Sequence, residues 1–127
     1  MLSSSPSAQV FAGATDVVPQ IRGGRQAPEV LVDLKKIDQL VALTSDDKKW
    51  TVGAATPTVD LTENPGFSQE FPGISEAAGL IGSDQIQSRS SLGGNLCNGS
   101  PAADSVPAMM VNGTRALIAG PKGNRLV

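Results

Sequence analysis

The chain contains no histidine and no tyrosine, and its sole cysteine is Cys97. Without imidazole or phenol it has few groups that titrate near neutral pH, which argues against hydrolysis by its own acids, bases or nucleophiles. One thiol can neither close an internal disulfide nor hold a zinc or iron centre alone, so a reducing, cytoplasmic compartment and no metal site are expected. Cys97 itself reads as a small buried side chain. Aromatics make up only 3%, and 10 Lys plus Arg stand against 12 Asp plus Glu with no basic stripe, which argues against a nucleic-acid partner. No apolar run approaches the roughly 20 residues of a membrane helix, and Met1 to Ser7 reads as a Ser-rich tail rather than a signal peptide. The carboxylates Asp46, Asp47, Asp60, Glu63, Glu76 and Asp84 are scattered through surface-like contexts, so no catalytic pair is assigned.

Glycine, in contrast, is plentiful at 14 residues, and it gathers in two loops. The first, AGATD at Ala12 to Asp16, follows the apolar run Val10, Phe11, Ala12 and precedes Val17, Val18, Pro19, Gln20, Ile21. This order predicts a short buried strand, a turn at Gly13, and a helix capped by Thr15 or Asp16 that stops at Gly23 and Gly24. Pro19 fits only in that helix's first turn, where a missing N–H costs nothing. The second loop lies in SSLGGNLCNGSPAADS, Ser90 to Ser105. Gly93 and Gly94 predict a turn whose N–H groups can approach an anion, and Ser100 with Pro101 reads as N-cap and N1 of the next helix. Each loop alone also suits an ordinary tight turn, and neither GxGxxG nor GxxxxGK[ST] is present. Together, two glycine loops beside helix starts favour a backbone cradle for phosphate.

Val30 to Leu34 predicts a strand parallel to the one at Val10, since a helix separates them. Leu40 to Thr44 and Trp50 to Ala54 read as a hairpin around Ser45 to Lys49, with Lys48 and Lys49 at its tip. Thr56 to Thr58 opens a short helix toward Leu61 that Asn64, Pro65 and Gly66 break. Another helix starts at Pro72, carries the stripe Ile74, Ala77, Ala78, Ile81, and ends at Gly82. Asp84 to Ser91 is expected to be extended, and a last helix to run from about Pro101 to Val111 with Met109 and Met110 as core filler. Arg115 to Ala119 and Arg125 to Val127 would then pair around Pro121 to Asn124. The sum is an α+β chain of two small subdomains. Residues 1–53 form a βαβ-type piece, and residues 54–127 combine a mixed or antiparallel sheet with helices.

Five segments follow one another in a characteristic order: AGATDVVPQIR at 12–22, LVDLKKI at 31–37, TVGAATPTVDL at 51–61, FPGISEAAGLIGSDQIQSRSSLGGNLCNGSPAADSVPAMM at 71–110, and IAGPKG at 118–123. They resemble the flavin-binding subunit, or FAD domain, of the xanthine dehydrogenase and carbon monoxide dehydrogenase family of molybdenum hydroxylases. The resemblance implies an incomplete version of the PCMH-type FAD-binding fold, truncated at both ends, because relatives start before the first loop and continue past the last hairpin.

It also implies that Ala12, Gly13, Ala14, Thr15, Asp16 and Val17 wrap the FAD pyrophosphate. Ser91, Leu92, Gly93, Gly94 and Asn95 would complete the clamp, Asp104 would contact the adenosine side, and Ile81 would pack on the cofactor. Relatives commonly carry a second glycine at the position of Ala14, which loosens the approach of backbone to phosphate here. The implied function is a relay of electrons from a partner's iron–sulfur clusters, reduced at a molybdopterin-binding subunit, through flavin to an acceptor such as NAD or oxygen. Two other readings stay open: a truncated scaffold that binds no flavin and serves assembly, and a binder of some other nucleotide. Open strand edges at Val10 and Val127 are expected, and with them a homo-oligomer if the chain is isolated.

Overall fold

The computed structural model describes residues 5–127, so part of the Ser-rich leader read at Met1 to Ser7 lies outside the described residues. Strand β1 (Ala8–Phe11) pairs in parallel with β2 (Val30–Asp33), Val10 opposite Val32, and α1 (Val17–Arg22) crosses between them. Asp16 stands at the N-cap of α1, but its side chain makes no capping bond. Leu34 leaves the expected strand for a 3-10 turn, Leu34–Lys36, because Asp33 Oδ1 accepts the Lys35 N–H at 2.9 Å and curls the chain.

Helix α2 (Asp38–Val41) removes Leu40 and Val41 from the expected hairpin arm. The hairpin is formed by β3 (Leu43–Asp46) and β4 (Lys49–Val52), antiparallel, with Asp46 opposite Lys49. Its tip is closed by Asp46 Oδ1, which accepts from the N–H groups of Lys48 and Lys49 at 3.0 and 3.1 Å.

The core sits among the helices that follow. In α3 (Thr58–Thr62), α4 (Pro65–Glu70) and α5 (Pro72–Gly79), the side chains of Leu61, Phe67 and Ile74 cluster with Leu92 and Met109 from farther along the chain. Phe67 also meets Trp50 edge-on, with ring centroids 5.4 Å apart, which pins the hairpin to the helices. Asn64 and Pro65 start a helix rather than breaking one. Asn64 Oδ1 accepts the Phe67 N–H at 2.9 Å, and Pro65 occupies the first helical position. Ile74, Ala77 and Ala78 are buried as the stripe predicts, but α5 ends before Ile81 and Gly82.

Four further expectations change between Asp84 and Met110. Helix α6 (Asp84–Gln87) replaces the extended segment, and the Gly93–Gly94 pair lies in the first turn of α7 (Leu92–Asn98) rather than in a loop. Helix α8 (Ser105–Val111) begins later than Ser100 and Pro101, because Ser100 Oγ accepts the Ala102 N–H at 3.2 Å and closes a separate turn. Met109 is buried but Met110 is 76% exposed, so only the first fills the core.

The chain closes with the hairpin of β5 (Leu117–Gly120) and β6 (Gly123–Leu126). The described strands form three two-stranded sheets. Val10 and Val127 are 38% and 58% exposed, and Val127, just past β6, exchanges backbone hydrogen bonds with Ala116 at 2.7 and 3.0 Å. The architecture is α+β, and among the described residues no helix is long and apolar enough to cross a membrane.

Candidate functional site

A cavity of ≈ 350 Å³ opens between the loop after β1 and helix α7. That is within the roughly 300–1,000 Å³ of small-molecule sites. One wall is the stretch Ala12 to Val17. The other is Ser90, Ser91, Gly93, Gly94 and Asn95, continued along α7 by Cys97 and Asn98.

Two glycines bring these walls together. A Cβ on Gly13 would fall inside the Arg89 carbonyl group and 3.0 Å from the Ser90 nitrogen, and one on Gly93 would strike the Ala54 carbonyl. The bare faces of Gly13 and Gly93 are therefore turned toward protein backbone, not toward open space for an anion as the sequence suggested. Their chemistry is close approach of chain to chain. Gly94 differs: its Cβ direction points to Ser91 Oγ at 3.0 Å and to Ala12 Cβ across the gap at 3.9 Å. Ala14 has φ 61°, in the left-handed region where a Cβ costs about 1–2 kcal/mol.

The second wall is anchored by buried hydroxyls. The Thr58 N–H donates to the Ser90 carbonyl at 3.0 Å, and Thr58 Oγ1 lies 2.7 Å from Ser90 Oγ. Ser91 Oγ caps α7 by accepting the Gly94 N–H at 3.1 Å. Beside Ala54, Lys35 Nζ donates to the Ala55 carbonyl at 2.8 Å. Burial, then the neighbouring Arg89 charge, pulls the Lys35 pKa below its usual value, against the opposing pull of Asp60 and Asp33.

Arg25 is the cation and Asp16 the anion among the residues lining the cavity. The Arg25 guanidinium donates to Gln20 Oε1, and Gln20 Nε2 donates to Asn98 Oδ1 at 3.2 Å. A polar chain thus runs from α1 and the turn after it to the end of α7. On the same helix, Asn95 Oδ1 accepts from the hydroxyl of fully buried Ser105 at 2.6 Å.

Every residue that the sequence places on a ligand borders this cavity except Leu92 and Asp104. The Leu92 side chain joins the hydrophobic core, and Asp104 stands exposed at the N-cap of α8. Cys97, expected to be buried, is exposed and lines the cavity. Gln20, Arg25 and Asn98 escaped notice. Asn98 lies four residues after Gly94, on the same helical face, a relation visible only once 92–98 is a helix. For Arg25 the available signal was its charge.

The family described as the FAD binding domain in molybdopterin dehydrogenase matches residues 1–127. The putative xanthine dehydrogenase FAD-binding subunit of Escherichia coli K12 is 31% identical over 128 residues, covering 100% of this chain and 44% of that protein. The carbon monoxide dehydrogenase medium chain of Afipia carboxidovorans is 32% identical over 120 residues, covering 94% of this chain and 42% of the relative. Among solved structures, reconstituted CO dehydrogenase from Oligotropha carboxidovorans superposes with a TM-score of 0.90 at 31% identity, over 97% of this chain and 43% of that one. Quinoline 2-oxidoreductase from Pseudomonas putida 86 shares the fold, with a TM-score of 0.92 at 24% identity over 99% of this chain and 44% of that one. The chain thus spans less than half the length of these relatives.

Proposed function

The chain belongs to the FAD-binding domain family of the molybdopterin dehydrogenases, and from that premise we propose that its cavity holds FAD, the pyrophosphate lying between Gly13 to Asp16 and Ser91 to Asn95. The residues present suit that group. In the first turns of α1 and α7 the Val18 N–H donates to the Ala14 carbonyl, the Gly94 N–H donates to Ser91 Oγ and Pro19 has no N–H, which leaves the N–H groups of Val17, Leu92 and Gly93 for an anion. Arg25 at the cavity supplies positive charge, and Ile81 supplies an apolar surface. Leu92 contributes through its main chain, and Asp104 is assigned to the ligand on family resemblance alone.

A bound flavin would supply the redox chemistry, as the link between a partner's iron–sulfur clusters and an acceptor such as NAD or oxygen. This chain's side chains bind and orient, and none is assigned an acid–base step. We place it beside an iron–sulfur subunit and a molybdopterin-binding subunit, in the cytoplasm, where reducing conditions keep the exposed Cys97 thiol free. In isolation its open sheet edges favour pairing between copies.

The observation that carries the proposal is that two segments far apart in sequence, Ala12 to Val17 and the start of α7 at Ser91, Gly93, Gly94 and Asn95, border one cavity. The test is titration with FAD, followed by flavin fluorescence and melting temperature. FAD at 100 times its dissociation constant should add about 2.7 kcal/mol of stability. Equal shifts with ADP would indicate generic diphosphate recognition, and no shift with either would leave a scaffold that binds no nucleotide.

A further inference from the structure

We infer that Ser105 and Gln20 are positioning residues that polarise the α7 wall of the cavity, turning the side-chain amides of Asn95 and Asn98 so that both offer hydrogen-bond donors to the ligand. The inference rests on the flavin site proposed above.

A side-chain amide has an acceptor end and a donor end, and which end faces a ligand is decided by what holds the other. Asn95 Oδ1 is taken by the Ser105 hydroxyl at 2.6 Å, from a serine with no solvent exposure. Asn98 Oδ1 is taken by Gln20 Nε2 at 3.2 Å, and Gln20 Oε1 is in turn taken by Arg25. Two separate relays, one through the core side of α7 and one over its outer end, therefore leave the same thing free: an Nδ2 donor on a residue that lines the cavity.

The backbone of Asn95 is fixed as well, since its N–H donates to the Ser91 carbonyl at 2.9 Å. Turning the Asn95 amide over would present a carbonyl oxygen to the ligand and make Ser105 Oγ accept from Nδ2, taking from the buried hydroxyl proton its Oδ1 acceptor. A wall of donors suits phosphate oxygens and selects against ligands that bring donors of their own.

The test is a pair of double-mutant cycles read by FAD dissociation constants, Ser105→Ala with Asn95→Ala and Gln20→Met with Asn98→Ala. Gln20→Met keeps side-chain length, adds no charge to a wall that Gln20 itself lines, and cannot donate to Asn98, so it removes that relay with little demand on folding. Each single change should weaken FAD about tenfold, the worth of one such hydrogen bond. Each double mutant should be no weaker than its worse single, because the positioning residue acts only through its asparagine. Unchanged affinity in the singles, or doubles that lose the product of both, would overturn the inference. If the parent binds no FAD, the site proposal fails, while the side-chain amide resonances still report on the relays. The Asn95 and Asn98 pairs must shift on Ser105→Ala and Gln20→Met respectively, and resonances that stay in place would overturn the inference too.

Discussion

Replacing Gly13 by alanine tests whether the two walls touch as described. The added Cβ would lie inside the Arg89 carbonyl and 3.0 Å from the Ser90 nitrogen. These are main-chain atoms, and they are tied down: the Ser90 N–H donates to Ile86 O at 2.7 Å and its carbonyl accepts from Thr58 at 3.0 Å. A flexible side chain could swing aside, but this segment must move as a unit, so the cost falls at the upper end of overpacking, about 3 kcal/mol. For a chain of this size that lowers the melting temperature by roughly 10 °C. Separating the walls should also weaken FAD at least about tenfold, a further 1.4 kcal/mol. Two other glycines serve as controls. Gly73, with nothing within 4 Å of its Cβ position in α5, should accept alanine with a gain of about 0.5 kcal/mol. Gly99, at φ 64° with equally open space, should lose about 1 kcal/mol through its dihedral alone and leave flavin binding intact. Differential scanning fluorimetry and an FAD titration across the three variants decide the matter. A Gly13→Ala chain that melts within about 2 °C of the parent and binds FAD equally well would refute the contact.

Ala14→Gly should raise stability by about 0.5 kcal/mol, the relief of φ 61° less the entropy glycine adds to the unfolded chain; a lower urea midpoint would contradict this. Phe67→Ala should cost about 3–5 kcal/mol and shift Trp50 emission, since Phe67 is 2% exposed and meets Trp50 edge-on; a loss below about 1 kcal/mol would place the core elsewhere. Lys35 titrates below its usual value when folded, so between that lowered value and the ordinary lysine value the unfolded chain binds more protons and stability rises with pH. Urea melts at neutral pH and at pH about 10 should show the parent gaining on Lys35→Met, and parallel behaviour of the two would remove Lys35 as the source.

Much of the layout could be read from residues whose local chemistry permits one outcome. Val10 and Phe11 ahead of Gly13, with Pro19 soon after, admit little but strand, turn and helix, and the parallel partner at Val30 follows from the crossover. The charged tip at Asp46 to Lys49 closes a hairpin through its own carboxylate. What escaped depended on contacts between distant segments. A Gly-Gly pair is a poor helix former, costing about 1 kcal/mol per glycine. It nonetheless begins α7, because Ser91 caps it and only a glycine at 93 can lie on the Ala54 backbone. Helix α6 has four residues, too few for any periodicity to show. Asn64 and Pro65 can open a helix as well as end one, and the bond to Phe67 decides which. At the candidate site, the two glycine-bearing segments were legible though the second is a helix start, whereas Gln20 and Ser105 act through partners on α7, 78 and 10 residues away.

The two sides of the cavity are held with unequal firmness. No residue of β1, α1 or β2 is buried, whereas α7 brings Leu92 into the cluster that contains Phe67 and Met109. Amide protons of the N-terminal layer should therefore exchange by local opening at small free energy, and those of the helical layer only near the global limit. A ligand bridging both would lend the weaker layer the order of the stronger, and part of its binding energy would be spent on that ordering.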